Sequence, residues 1–393
     1  MNQTTTDLKV GDKITLTIDR LSYDGGRGVG RFNNFVFFVP QTAPNEKIKA
    51  TITKKKKNYG EARLLEILEA SPSRREALCP VVTECGGCAW QHISYSEQLN
   101  QKRDFIKHHL KAVLHDRVTL PPISPSVVEY RYRNRVQVHA RKNFANEIEF
   151  GFFKAGSNSL VPISDCYISE PELFSGLKAA LQHENLTQKN GFHKYELAMK
   201  GSERVIRDLS KDESEFTQIN SAQNQSMIQY VLNEVNRLKP EHISKIYDLY
   251  CGSGNITEPM AKTFAPTPVV GVEMTQKAID RAKLHASPNA EYIAGDVATF
   301  LSRQKLQAHT VVTLDPARAG LGSTTISQLL RLKPDLIVYI SCSLPSLARD
   351  LQSICKNDYA IDSVCGFDMF PQTEYVETVV TLLPRDMKAF CSL

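Results

Sequence analysis

Asp248-Leu249-Tyr250-Cys251-Gly252-Ser253-Gly254-Asn255 is the stretch that decides how this chain folds. An apolar run over residues 243–250 carries into a turn with two glycines, residues that let a backbone turn sharply and come close to a ligand. The pattern repeats downstream. Residues 269–273, 291–294, 310–314, 335–340 and 379–383 are further strand candidates, with helical stretches between most of them. Strands alternating with helices predict an α/β fold, a Rossmann-like, doubly wound and largely parallel sheet over residues 206–393. Ligands of such sheets bind at the carboxyl ends of the strands.

Acidic residues stand at those ends. Glu273 closes the second strand, where a carboxylate takes the two hydroxyls of a ribose, and Asp296 follows the third, within reach of an adenine amino group. The glycines of residues 248–255 allow close approach of a methionine moiety, which makes S-adenosylmethionine the expected cofactor. A nicotinamide site would show a fuller Gly-x-Gly-x-x-Gly and is the weaker alternative. A sheet without any cofactor also stays open. Leu314-Asp315-Pro316-Ala317-Arg318-Ala319-Gly320 closes the fourth strand. It puts a carboxylate and a stiff turn at the substrate mouth. Enzymes that methylate the adenine amino group stack the base on an aromatic here, and Ala317-Arg318 argues against that chemistry.

The fifth strand ends in Ile340-Ser341-Cys342-Ser343-Leu344-Pro345. A cysteine at a strand end beside a cofactor site is a candidate covalent nucleophile. It is needed where the target atom is unreactive until something adds to it. The C5 carbon of uracil is such an atom, becoming nucleophilic once a thiolate has added at C6.

The front half reads differently. Residues 1–68 alternate apolar and polar positions in short runs, which predicts a small antiparallel, OB-like barrel. Gly28-Val29-Gly30 is read there as a tight turn. Residues 69–205 are expected to form a β-rich domain with a helix near 96–114. Residues 1–150 hold 24 Lys and Arg against 16 Asp and Glu, a surplus of 8 in a chain of net charge +5, so residues 151–393 carry −3. Basic surplus in the half without the nucleophile suits a polyanion, and Arg131, Arg133 and Arg135, interleaved with aromatics, suit RNA; a solvated charged edge would read the same way.

Nine cysteines is an odd number, and three of them, Cys79, Cys85 and Cys88, crowd within ten residues. In a reducing compartment such crowding favours a metal or cluster over disulfides. A fourth ligand is required, and Cys166, after Val161-Pro162-Ile163-Ser164-Asp165, is the expected one. Spacing alone leaves zinc and iron–sulfur open. The apolar and charged fractions, 41% and 23%, are those of a soluble globular protein. No stretch has the length and apolarity of a membrane span or signal peptide, so a cytoplasmic protein without a membrane partner is expected.

Taken in order, Cys79, Cys85 and Cys88 with Cys166, Phe216-Thr217-Gln218-Ile219-Asn220, residues 248–255, residues 315–320, Ser341-Cys342 with Ala348-Arg349-Asp350, and Asp368-Met369-Phe370-Pro371-Gln372-Thr373 with Glu377 resemble the RNA uracil-5-methyltransferases. The closest likeness is to the bacterial 23S rRNA branch with a TRAM barrel and a [4Fe-4S] cluster. The resemblance spans nearly the whole chain. It implies Cys342 as nucleophile and Glu377 as base, with Gln218, Tyr250, Asn255, Glu273, Asp296 and Asp315 in the S-adenosylmethionine pocket. Cys79, Cys85, Cys88 and Cys166 would hold the cluster. It further implies an RNA partner, rRNA before tRNA, and a monomer. The family's Asn-Pro after the nucleophile is here Ser343-Leu344, its His before Thr is Gln372, and its common Phe is Tyr250. A tRNA T-loop methylase is the nearest alternative. A radical methylthiotransferase is disfavoured by the Cys79-x5-Cys85 spacing and the 248–255 turn. A non-catalytic RNA-binding protein is disfavoured by Cys342 and Glu377 together.

Overall fold

The computed structural model describes residues 8–114, 118–182, 191–211, 218–237, 243–305, 308–356 and 359–385. Phe216, Thr217 and Cys391 lie outside the described residues. The chain forms two compact units that interleave in sequence. One comprises Met1–Gln101, Ser126–Ser221 and Phe370–Glu374, the other Lys102–Pro125, Ala222–Met369 and Tyr375–Leu393.

In the first unit, β1 (Lys13–Leu21), β2 (Gly28–Phe32), β3 (Phe35–Val39), β4 (Lys47–Lys55) and β5 (Tyr59–Glu69) close a barrel in the order β1-β2-β3-β5-β4. Alternation sends Ile14, Leu16 and Ile18 of β1 inward, against Phe37, Val39, Ile48 and Ile52. Gly28-Val29-Gly30 is not a turn but strand β2; the turn lies just before it, at Gly25 and Gly26, both with positive φ. A Cβ on Gly30 would run into the carbonyl of Thr17 on β1, so that glycine serves close strand packing.

After α1 (Tyr95–Leu110), the same unit has a second, antiparallel sheet. Its strands are β6 (Arg135–Lys142), β7 (Ile148–Phe153), β8 (Leu160–Pro162), β9 (His193–Lys200) and β10 (Glu203–Asp208), ordered β10-β9-β6-β7-β8. The helix α2 (Leu177–Gln182) buries Leu177 and Leu181 on it. Two of the three arginines interleaved with aromatics are held in ion pairs. Arg131 makes a fork to both carboxylate oxygens of Asp165, at 2.8 and 2.7 Å, and Arg135 pairs with buried Glu196 at 3.2 Å. Those two carboxylates are distant in sequence, while Arg133 keeps a buried Nε without a partner among the described residues.

The second unit is the α/β sheet. Between α3 (Ser221–Asn236) and the C-terminus run β11 (Lys245–Leu249), α4 (Thr257–Thr263), β12 (Val269–Glu273), α5 (Gln276–Lys283), β13 (Ala290–Ala294), α6 (Val297–Arg303), β14 (Thr310–Leu314), α7 (Ser323–Leu332), β15 (Leu336–Ser341), α8 (Leu344–Cys355), β16 (Tyr359–Phe367) and β17 (Glu377–Pro384). The strand order is β13-β12-β11-β14-β15-β17-β16. The first five strands are parallel; β17 runs antiparallel between β15 and β16. Every residue of β14 and β15 is buried, as expected of strands covered on both faces. Beside this sheet Lys102 and Asp368 form a fully buried ion pair at 2.5 Å. Such a pair fixes geometry more than it adds stability, since both charges lose water.

Candidate active site

The order of the sheet explains what meets at its carboxyl edge. Because β17 is antiparallel to β15, with Thr378 opposite Ser341, the residue after β15 and the first residue of β17 face one another. Those residues are Cys342 and Glu377. The next parallel neighbour, β14, delivers Asp315 and Arg318 to the same place.

The four side chains act on one another. Burial, then the Glu377 carboxylate, pushes the Cys342 thiol up to about 11, and Arg318, within hydrogen-bonding reach, pulls it the other way. Glu377 is 5% exposed, and burial followed by Asp315 pushes its carboxyl up to about 8. Its Oε2 has no hydrogen-bond partner among the described residues. Asp315 retains some exposed surface but is closely surrounded; burial and the charge of Asp248 push it up to about 7. Two carboxyls with raised pKa around one thiol and one guanidinium suit a site of proton movement. Arg318 lies over the ring of Tyr375 at 4.5 Å. Besides the aromatic that residues 317 and 318 lack, Arg318 carries a second signal: an arginine three residues after a strand-end aspartate places charge at the mouth of the site.

The turn after β11 is built as its glycines require. Tyr250, Gly252 and Gly254 all have positive φ, and a Cβ on Gly254 would meet the Tyr292 hydroxyl at 2.5 Å. The backbone N–H groups of Tyr250 and Cys251 both donate to the Val272 carbonyl, at 2.8 and 3.1 Å, which ties the turn to β12. Asp248 does not face a ligand. It is 1% exposed and accepts from Thr257 Oγ1 at 2.6 Å and Thr313 Oγ1 at 2.7 Å, lacing β11 to α4 and β14.

Glu273 ends β12 and accepts from the Thr275 N–H at 2.9 Å. Asp296 caps α6, taking the backbone N–H and hydroxyl of Thr299 on Oδ1, each at 2.8 Å, which holds its carboxyl below the usual range. Tyr250 is raised by burial, with the Thr325 side chain opposing and Asp296, Asp350 and Glu273 nearby. Asn255 exchanges both amide bonds with Asn224 of α3, at 2.9 and 3.0 Å. Thus Tyr250, Glu273 and Asp296 cluster beyond the turn, while Asn255 is engaged with α3. Gln218 belongs to the first unit, where its carbonyl accepts from Asn134 Nδ2 at 3.1 Å.

Also in the first unit, Cys79, Cys85, Cys88 and Cys166 all line one cavity of about 310 Å3, together with Gln91, Arg133 and Asp165. Among the described residues no three His, Cys, Asp or Glu side chains draw close enough to hold a single metal ion. Gln372, at φ +69°, accepts from Arg75 and Gln98 at 3.0 Å each and donates to Glu129. A side-chain amide both donates and accepts hydrogen bonds, which suits this mixed set of partners.

Three family models match: the TRAM domain over residues 7–65, a methyltransferase domain over 246–327 and tRNA (Uracil-5-)-methyltransferase over 301–385. An uncharacterized RNA methyltransferase of Bdellovibrio bacteriovorus is 40% identical over 387 residues, 95% of either chain. The 23S rRNA (uracil(1939)-C(5))-methyltransferase RlmD of Vibrio campbellii is 30% identical over 420 residues, covering 92% of this chain and 94% of its own. The crystal structure of the Pyrococcus abyssi tRNA (uracil-54, C5)-methyltransferase with S-adenosyl-L-homocysteine superposes with a TM-score of 0.71 at 23% identity, over 94% of this chain and all of that one, a likeness of fold. With a barrel, a Rossmann-like sheet and a full-length relative of known chemistry, the chain belongs to the S-adenosylmethionine-dependent RNA uracil-5-methyltransferases.

Proposed function

We propose that this protein converts one uridine of 23S rRNA to 5-methyluridine through a covalent adduct on Cys342. The observation that carries the mechanism is the convergence of Cys342, Glu377, Asp315 and Arg318 at one sheet edge. The rRNA substrate rests on the Vibrio campbellii relative, alike over nearly its full length.

The target base is turned out of its stack, since C5 and C6 must be reached from the face of the ring. The Cys342 thiolate adds to C6, and the electron pair of the C5–C6 bond moves toward C5 and O4. Arg318 favours the thiolate, while Asp315 accepts a hydrogen bond from N3–H, a proton that cytosine lacks. Tyr250, Glu273 and Asp296 hold the adenosine, and Asn255 braces the turn through Asn224. Bound there, S-adenosylmethionine supplies an electrophilic methyl group, which C5 takes up. Glu377 then removes the C5 proton, the C6–S bond breaks, and the ring double bond is restored.

The resemblance and the shared cavity favour a cluster on the four cysteines. They share one cavity, and burial raises Cys79 and Cys85 and pushes Cys88 up to about 12, so a metal-bearing group is needed to hold them as thiolates. Arg133 lines the same cavity with a buried Nε that has no partner among the described residues, as suits an anionic cluster. A [4Fe-4S] group there would cross-link the loops of Cys79–Cys88 and Cys166. Anaerobically purified protein should be brown with about four irons per chain, and Cys166→Ser should lose most of them. A colourless, active preparation with stoichiometric zinc would contradict this. Partner RNA is expected on residues 1–150, which carry the basic surplus and whose barrel matches the TRAM model.

Mapping of 5-methyluridine in rRNA and tRNA from a strain lacking the protein tests the substrate. One missing methyl in 23S rRNA is expected; a loss confined to tRNA would overturn the rRNA assignment.

A further inference from the structure

The Ala348-Arg349-Asp350 motif takes no part in the chemistry above, yet its side chains are fully engaged. We propose that Ser346, Arg349 and Asp350 of α8 form a clasp on residues 318–321 that positions Arg318 and thereby sets the reactivity of the Cys342 thiol. The proposal rests on the reading of Cys342 as nucleophile.

The loop after β14 leaves the sheet at Asp315 and must be held some other way. Three side chains of one helix hold it. Ser346 Oγ donates to the carbonyl of Arg318 itself at 2.7 Å. Arg349 Nη2 donates to the carbonyl of Ala319 at 2.7 Å and reaches that of Leu321 at 3.4 Å. Asp350 Oδ2 accepts from the Leu321 N–H and the Tyr339 hydroxyl, both at 2.7 Å, while Oδ1 takes Arg349 at 2.9 and 2.8 Å. Asp350 is wholly buried, so four donors around one carboxylate give it a single orientation. Gly320, at φ +74°, completes the fit: a Cβ there would collide with the Asp350 carboxylate and stand 2.7 Å from Arg349 Nη2.

The same helix begins two residues after Cys342. It therefore fixes both the thiol, at its start, and the backbone of Arg318, through its first two turns. The charged groups facing the thiol are Glu377 from β17 and Asp315 and Arg318 from the loop. Arg318 is the cation of that set. Any loosening of its carbonyl removes the group that favours thiolate and leaves the two that oppose it.

The test is peptide-resolved iodoacetamide labelling of the full-length protein as a function of pH. In Ser346→Ala and Arg349→Gln the Cys342 rate at about pH 8 should fall roughly three-fold, a midpoint shift of about half a unit. Arg318→Gln should shift at least as far, and adding Ser346→Ala to it should change nothing more. Buried Cys365 reports on general loosening and should label no faster; if Arg349→Gln fails that control, Ser346→Ala, which loses one hydroxyl, decides alone. An unshifted Ser346→Ala midpoint beside a shifted Arg318→Gln, or additive shifts in the double variant, would overturn the clasp. Labelling is independent of methyl transfer. A wild-type protein that forms no adduct with 5-fluorouridine RNA would sink the nucleophile assignment, whatever the labelling shows about the clasp.

Discussion

Cys342→Ala should lose RNA methylation by at least about 10^4-fold, while S-adenosylmethionine binding stays at the wild-type level. C5 of uracil does not attack a sulfonium methyl unaided, so removing the group that adds to C6 removes the reaction rather than slowing one step of it. The residues that hold the adenosine stand elsewhere on the sheet: Tyr250 follows β11, Glu273 ends β12 and Asp296 precedes α6, whereas Cys342 follows β15. Cys251 and Cys365 cannot replace it. Both are buried with thiols raised by desolvation, Cys365 to about 11 and Cys251 further still, and no cation is among the causes acting on either. Equilibrium binding of the cofactor together with single-turnover methylation checks both halves. Residual turnover within about a hundred-fold of wild type would mean that another group adds to C6.

Glu377→Gln should fail at the opposite end of the reaction. Addition and methyl transfer proceed, the C5 proton has no acceptor, and a methylated protein–RNA complex accumulates while free product falls by about a thousand-fold. The acid–base sign follows from burial. A base must be ionised, and the Glu377 carboxyl is raised to about 8, so in the wild type elimination should slow about tenfold for each pH unit below that value. Stability moves the other way. The folded pKa, about 8, lies above the ordinary 4.5, so between those values the folded protein holds a proton that the unfolded chain has released, and stability falls as pH rises. Glu377→Gln removes that penalty. The inactive variant should melt higher than wild type at about pH 8 and no higher at about pH 4. Rapid product release by the variant would move the base to another residue.

The parallel sheet was legible because strands covered on both faces are largely apolar, as in Thr310–Leu314 and Leu336–Ser341. The strand Tyr359–Phe367 escaped notice for a physical reason. Asp362 and Ser363 interrupt its apolar run, and they do so because Ser363 bonds Glu234 and Tyr230 of α3 and Thr381 of β17 at a bulge. Polar partners from distant segments leave no local trace. The same is true of Arg131 and Arg135, whose carboxylates lie 34 and 61 residues away. The meeting of Cys342 with Glu377 depends on β17 inserting antiparallel between β15 and β16, which periodicity cannot reveal; the order of motifs suggested it. Gly28 and Gly30 look like turn glycines because a strand that needs them for close packing has the same composition.

The covalent step is open to one direct measurement. Protein incubated with S-adenosylmethionine carrying an isotope-labelled methyl group and with RNA containing 5-fluorouridine should stall after methyl transfer, because fluorine cannot leave as a proton. Digestion and mass spectrometry should then find one modified peptide, the one containing Cys342, bearing a 5-fluoro-5-methyl nucleotide with the label. A labelled nucleotide on the peptide of Cys251 or Cys365, or methylated RNA with no protein attached, would contradict the mechanism.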